Sequence, residues 1–512
     1  MKLKLAELFQ NNMILQREKT LTVWGEGIPS EQVTVCIQGQ HVSAEIAEDG
    51  TWSMEIPALR TSFEEQMTVQ SADETIELDH IAIGEVWLAG GQSNMEFFMR
   101  YDKDFEESVK NCTNPNIRYF DYPVVPTEQD LESKDYSDFG FWRSCDPENL
   151  QFFGAVGYYF AKKLQEELNV PIGIVGCNCG GSRSCCWMDE ETLKACGPVW
   201  ISDYEEGISK IKDLKAAEEN YHKNPMTDKA HPFLNPFGDK MMYGVSKEEL
   251  VAMFSSLTAN AGDDDPNPIG PWHEWRPNGL YHTMLEHVMP YTIRAVIWYQ
   301  GESDEDHPEL YDTMMKALIG LWREKWGEQL PFLTTQLAPF GEFVGTGGKY
   351  YPILRAMQEK TADEVPNVYL ASIGDVGLEH DIHPKEKQPV GRRLALLALG
   401  HIYGQDILCE APRAESMKQI EHGISISFKY APDGLVLKGT QVNALSIYMD
   451  GTEISKDAYT CVLVDQTLQI LFQSDLDERN HHFRVDFAKT PYYEVNLYNQ
   501  ADIPAKPFSL EI

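Results

Sequence analysis

Positive charge is scarce in this sequence. Across 512 residues, 43 Lys and Arg face 80 Asp and Glu, giving a formal net charge of −37 and a pI near 4.7. A field of that sign repels nucleic acid and anionic membranes, so neither is an expected partner, and neutral or cationic molecules are favoured. The excess is spread along the chain, not gathered in one acidic tract. Long apolar runs are missing too, and none approaches the ~20 residues of a membrane span. The opening Met1-Lys2-Leu3-Lys4-Leu5-Ala6-Glu7 lacks the apolar core and small-residue cleavage site of a signal peptide, so a cytoplasmic location is expected. Regular cysteine spacing is absent as well. Of 10 cysteines, Cys177, Cys179, Cys185 and Cys186 cluster and the rest scatter. A Cys-x-Cys followed by an adjacent pair is not the two-pair spacing of a zinc site, and no His ligand is near. Reduced thiols are therefore expected, with no metal and no cofactor. Internal repeats and low-complexity segments are also lacking.

What is present is an ordinary globular composition, 42% hydrophobic and 24% charged. The length allows about three domains at ~150 residues each. Residues 1–80 read as an N-terminal β-sandwich-like module: Leu21–Gly25, Val33–Ile37 and Trp52–Ile56 are short alternating or β-branched runs, and Asp49-Gly50 marks a hairpin. Residues 81–405 alternate. Buried-type strands at 172–176, 295–299, 332–337 and 368–373 are interleaved with helical periodicity at 152–168, 310–326 and 353–361, which predicts an α/β fold with a mainly parallel sheet. The polar stretch 101–150 reads as surface covering. Between about 200 and 275 the alternation breaks into a charged insertion with a helical piece at 247–254 and Asp263-Asp264-Asp265, either a lid or a surface excursion. Residues 406–512 return to β and form a C-terminal β-rich module.

In parallel α/β sheets, ligands bind at the carboxyl ends of the strands, and four glycine-rich or polar turns fall there. The run Val86-Trp87-Leu88-Ala89 ends in Gly90-Gly91-Gln92-Ser93-Asn94-Met95, which presents a serine hydroxyl on a sharp turn between two amides. The others are Cys177-Asn178-Cys179-Gly180-Gly181-Ser182-Arg183, Gln300-Gly301-Glu302-Ser303-Asp304 and the stretch Gly374–Pro384. Acyl transfer needs a hydroxyl nucleophile, an imidazole base, a carboxylate to orient it and donors for the oxyanion. Ser93 supplies the hydroxyl. His383 is placed just before a helix that Pro384 would open, and Asp381 is near enough to orient it. The N–H groups of Ser93 and of Gly180 or Gly181, with the Gln300 amide, are the candidate oxyanion hole.

Gly91-Gln92-Ser93-Asn94-Met95, Gly180-Gly181-Ser182, Trp298-Tyr299-Gln300-Gly301-Glu302-Ser303 and Asp381-Ile382-His383-Pro384 resemble the ordered blocks of the sialate O-acetylesterase family, a branch of the SGNH hydrolases. Arg276-Pro277-Asn278-Gly279-Leu280-Tyr281, Gly391-Arg392-Arg393-Leu394-Ala395 and Asn12–Arg17 also match, so the resemblance spans nearly the whole chain. It implies a flavodoxin-like hydrolase core flanked by β modules, and metal-free removal of O-acetyl groups from a sugar. Ser93 would be the nucleophile, His383 the base, Asp381 its partner, and Gln300 the stand-in for the usual oxyanion Asn. One residue separates Asp381 from His383 where the wider SGNH pattern has two, which keeps Glu302 and Asp375 open as orienters and His380 as a rival imidazole. Gln92, Asn94, Glu302, Arg183, Asn278 and Trp298 are candidates to support the site or touch sugar. Trp187, Trp272, Trp275 and Tyr281 are further stacking candidates for which a core role is equally open. For the carboxylate of a sialic acid, Arg183 and Arg100 are the candidate partners, whereas the overall charge leans towards neutral sugars of the hemicellulose kind. The rival readings are a non-catalytic glycan-binding protein on a hydrolase core and a lipase-like esterase. A homodimer through the β modules is a further expectation.

Overall fold

From Ile81 to Gly91 every residue is buried, and Glu85 is the lone charged side chain in the run. Only a strand covered on both faces accommodates such a stretch. In the computed structural model, which describes residues 2–133, 140–226, 233–258, 268–342, 347–473 and 481–512, it forms the second half of β1 (Glu74–Gly91), the central strand of the molecule. The Asp263-Asp264-Asp265 run lies outside the described residues.

Strands β2 (Asn114–Asp121), β3 (Arg143–Cys145), β4 (Ile172–Asn178), β5 (Ala295–Tyr299), β6 (Phe332–Thr335) and β7 (Val368–Ala371) complete the sheet in the order β3-β2-β4-β1-β5-β6-β7. All pairings are parallel except that of β3, which runs antiparallel to β2 at the edge. Alternation along β1 fixes which helix covers which face. Trp87 meets Phe160 of α2 (Ala155–Leu168), ring centroids 4.7 Å apart. Gly90, three residues on, faces Trp298 and Trp322, the latter on α3 (Tyr311–Trp326). Helix α4 (Tyr351–Glu364) packs on α3, and α5 (Gln388–Leu397) on α2. The α2–α5 crossing is close because Gly391 sits in it: a Cβ there would lie 2.6 Å from the Val156 carbonyl oxygen. The fold class is α/β, as the alternation predicts.

The first half of β1 belongs to the N-terminal β region. It forms a hairpin with Ser62–Ser71, and Ile14–Gln16 runs parallel to Ala82–Gly84. The strand therefore passes from that region into the parallel sheet without a break, and one apolar core covers both. Where the two meet, Glu85 is fully buried and held by Arg17 Nε and Arg294 Nε, each at 2.6 Å, and by Gln16 Nε2 at 3.0 Å. Past residue 405 the described residues form two four-stranded antiparallel sheets and one two-stranded sheet, with a separate apolar cluster.

Two expectations need correction. The polar stretch 101–150 is not mere surface covering, because it contains β2, which lies inside the sheet. The polar residues of β2 are internal anchors: Arg118 is buried and donates to the backbone carbonyls of Asn12 (2.9 Å) and His80, and Asp121 is buried beside β4. The helix after His383 does not begin at Pro384. It begins at Gln388 with Pro389 in its first turn, so His383 lies in a loop and not at a helix N-terminus. The insertion contains the helices Pro198–Lys210, Leu214–Lys223, Pro236–Tyr243 and Lys247–Thr258. Among the described residues no helix is long and apolar enough to cross a membrane.

Candidate active site

Register places the site. Gly91 pairs with Asn178 of β4 and with Tyr299 of β5, so the turns that follow β1, β4 and β5 leave the sheet side by side. Gly91 has φ +137°, and a Cβ there would sit 2.1 Å from the Tyr299 carbonyl oxygen; glycine is what lets the chain turn at this point. Ser93 opens the short helix α1 (Ser93–Glu96). Its N–H, at the first helical position, has no intrahelical acceptor.

The loop carrying His383 folds over this turn. Its Nε2 is 2.9 Å from Ser93 Oγ, and both side chains are buried, at 7% and 9% exposure. Asp381 Oδ1 accepts the His383 backbone N–H at 2.8 Å and lies 3.8 Å from Nδ1, while its Oδ2 takes Lys385 Nζ at 2.9 Å. Burial, with the positive charges of Lys387 and Lys385, holds His383 well below the usual imidazole range. A neutral imidazole facing a serine hydroxyl can accept its proton.

The two amides beside Ser93 act as staples. Gln92 Oε1 accepts the Gly301 N–H at 3.1 Å, and its Nε2 donates to Ser303 Oγ at 3.2 Å. Asn94 Nδ2 donates to Glu302 Oε1 at 2.6 Å and to the Ile382 carbonyl at 3.0 Å. Burial raises Glu302 to about 6, and its Oε2 is buried without a hydrogen-bond partner among the described residues. The rival groups are occupied elsewhere. Asp375 forms a two-pronged ion pair with Arg393 at 2.6 and 2.7 Å, and His380 is 64% exposed beside Glu379.

Several predicted roles do not fit. The Gln300 amide is buried and donates to Asp304 Oδ2 at 2.5 Å and to the Ser182 carbonyl at 3.3 Å, so it braces the loop instead of facing an oxyanion. Trp298 is a core residue against Trp187 and Trp322, and those three rings are fully buried. Tyr281 and Trp272 are also buried. Asn278 joins its loop to the Met188 carbonyl at 2.8 Å and the Cys185 carbonyl at 2.9 Å. Gly180 does reach the site, since a Cβ on it would lie 3.4 Å from Ser93 Cβ, but its N–H donates to Glu96 Oε2 at 2.6 Å. Trp275 caps this turn, donating from Nε1 to the Gly180 carbonyl at 2.7 Å, with its ring against Gly181. Arg183 pairs with Asp306 at 3.0 Å and lies over the Trp200 ring. Arg100 is buried and donates to Tyr101 Oη and the Phe233 carbonyl.

Glu96 and Lys387 escape a reading of the sequence. Glu96 follows Ser93 by one helical turn, a spacing that would have suggested it once a helix was placed there. Lys387 sits in Pro384-Lys385-Glu386-Lys387, which looks like a solvated charged loop, yet its Nζ is buried. Among the described residues no cluster of three or more His, Cys, Asp or Glu is arranged to hold a metal ion.

The chain is similar to known carbohydrate esterases. The family described as carbohydrate esterase, sialic acid-specific acetylesterase, matches residues 237–399. Sialate O-acetylesterase of Mus musculus is 26% identical over 438 residues, covering 78% of this chain and 74% of that protein. The Homo sapiens protein is 25% identical over 465 residues, covering 83% and 76%. A crystal structure of a carbohydrate acetylesterase from Xanthomonas citri superposes over 99% of both chains with a TM-score of 0.74 at 25% identity. The likeness to carbohydrate esterases thus runs through the parallel sheet and the regions on either side of it. Within that class, the chain is similar to the sialate O-acetylesterases along most of its length.

Proposed function

We propose that the protein is a serine esterase that removes O-acetyl groups from carbohydrate, working at Ser93 on an SGNH-type core with β-rich modules before and after it. The observation that carries this reading is the buried 2.9 Å contact between Ser93 Oγ and His383 Nε2 at the carboxyl edge of the sheet. Ser93 Oγ attacks the acetyl carbonyl carbon as His383 Nε2 takes its proton. The C–O bond to the sugar then breaks, His383 returns the proton to the departing sugar oxygen, and an acetyl-enzyme forms. Water, activated by the same imidazole, releases acetate and restores Ser93. Asp381 holds the His383 loop through the backbone N–H, and its charge lies on the Nδ1 side of the ring. The Ser93 N–H serves the oxyanion, joined by that of Gly180 when the Glu96 carboxylate gives way.

The site favours an uncharged acetylated sugar over one bearing a carboxylate. Glu96 lies against the Gly180 turn, and Arg183 and Arg100 are engaged elsewhere. A glycan-binding protein without turnover is disfavoured, because nucleophile and base are both present and in contact. The test is acetate release from O-acetylated sialic acid and from acetylated xylan, mannan and xyloglucan oligosaccharides, by wild type and Ser93→Ala. Wild type is expected to release acetate fastest from a neutral substrate, and Ser93→Ala to lose about a thousandfold or more in kcat. Release unchanged in the variant would refute Ser93 as nucleophile.

A further inference from the structure

Lys387 is an ammonium group placed where water cannot reach it. Its side chain is fully buried beneath the serine turn, and its Nζ donates to Asn94 Oδ1 at 2.6 Å. The Phe97 and Tyr299 rings lie 4.5 and 5.6 Å from it. A lysine has only donors to offer, so the amide oxygen of Asn94 must face it. The NH2 group of Asn94 is thereby turned the other way, onto Glu302 Oε1 and the Ile382 carbonyl. Asn94 is next to Ser93 and Ile382 is next to His383, so one hydrogen-bonded chain ties the serine turn to the histidine loop. Its far end is anchored as well: Asp102 Oδ2 accepts the Lys387 backbone N–H at 2.9 Å, and Asp102 Oδ1 accepts Tyr159 Oη–H at 2.9 Å. A buried cation with so few partners is poor value for stability alone, since an apolar residue of like volume usually serves the fold as well or better.

We infer that Lys387 is a positioning residue for the reaction, fixing through Asn94 the distance and angle between Ser93 and His383. The inference rests on the proposed roles of those two residues. The charges facing Lys387 are those of Glu302, Asp102 and Asp381, with Lys385 and His383 nearby. Burial lowers Lys387 to about 7, so it is cationic over the acid range in which His383 must stay neutral, and there it opposes protonation of the imidazole.

The experiment uses the full-length protein and 4-nitrophenyl acetate as probe, with wild type, Ser93→Ala, Lys387→Met, Lys387→Gln, Asn94→Ala and the Asn94→Ala/Lys387→Met double variant. Rates are followed from about pH 4.5 to 8, with Tm measured alongside. Lys387→Met is expected to lose about tenfold or more in kcat with KM within about threefold. Its acid limb should move to higher pH, and its Tm should not fall. Lys387→Gln keeps an N–H for Asn94, so it should recover part of kcat without restoring the acid limb. The double variant should be no slower than Asn94→Ala alone, because both cut the same link. A kcat within about twofold of wild type in Lys387→Met would overturn the inference, as would kcat and Tm falling together with the acid limb unmoved. Turnover surviving in Ser93→Ala would instead remove the parent reading, and this inference with it.

Discussion

Between Asp381 and Glu302, the carboxylates flanking the Ser93–His383 contact, the geometry assigns different work. Asp381 lies 3.8 Å from Nδ1 and caps the loop that bears the ring, whereas Glu302 meets the serine turn at Asn94. Asp381→Asn keeps an oxygen for the His383 N–H but removes the charge, and a loss of about ten- to a hundredfold in kcat/KM is expected. Glu302→Gln keeps an acceptor for Asn94, so a change of no more than about fivefold is expected. Acetate-release kinetics on the two variants check this, and the reverse ranking would hand the orienting role to Glu302. Ser93 and His383 were singled out in the sequence because four glycine-rich or polar turns follow strands in one α/β order and resemble the blocks of an esterase family, and the structure brings the two side chains into contact. Gln300 was misread for a physical reason. Spacing along a chain locates a side chain at the sheet edge but does not reveal which buried neighbour, here Asp304, will claim its hydrogen bonds. Lys387 was invisible for the opposite reason, since its burial depends on Asn94, Phe97 and Tyr299, far away in the chain.

Helices and strands were legible where the apolar period was clean. The period at 152–168 became α2, and the pattern at 310–326 became α3, each within a few residues. Strand β2 was missed because Asn114-Pro115-Asn116-Ile117-Arg118 carries as many polar residues as a loop, and tertiary partners, not alternation, make those positions tolerable. The start of α5 was misplaced because two prolines, Pro384 and Pro389, each suit a first turn, and Lys387 is committed to Asp102 and Asn94 before the helix begins. The α2–α5 contact offers a test at this scale. Gly391→Ala places a methyl 2.6 Å from the Val156 carbonyl and 2.7 Å from the Phe160 nitrogen, both backbone atoms that cannot rotate aside. A cost of about 1–3 kcal/mol is expected, measured by urea unfolding. A stability within error of wild type would mean that the helices separate without penalty.

At the scale of the whole molecule, Glu85 joins three parts of the chain: the N-terminal β region through Gln16 and Arg17, the central strand it belongs to, and the approach to β5 through Arg294. Burial opposes its charge, but the hydrogen bond and charge of Arg294 with the hydrogen bonds of Arg17 and Gln16 outweigh that and hold Glu85 below the usual carboxylate range. A carboxyl lowered in the folded state contributes stability that is present above its unfolded value and lost as pH falls through the folded one. Glu85 is thus expected to protect the fold at neutral pH and to withdraw that protection below about pH 4.5. Glu85→Ala should cost about 3–5 kcal/mol at pH 7, because it strands two partly buried guanidinium groups. The deficit should shrink on acidification, and a thermal melt series across pH checks both statements. An undiminished deficit at acid pH would show that packing, not charge, is what the variant loses.

The central strand is also the earliest part of the parallel sheet to be made, yet its neighbours and the histidine arrive much later. Ser93 and His383 are 290 residues apart in sequence, with β4 and β5 made in the interval. A ribosome adding about 5–20 residues per second needs tens of seconds to bridge that gap. Until β4 and then β5 emerge, the apolar half of β1 waits with unpaired edges, a template on which another nascent chain can dock. For this protein the hazardous moment of biosynthesis falls early, and an esterase signal from chains stalled on ribosomes should appear only once the His383 loop has left the exit tunnel.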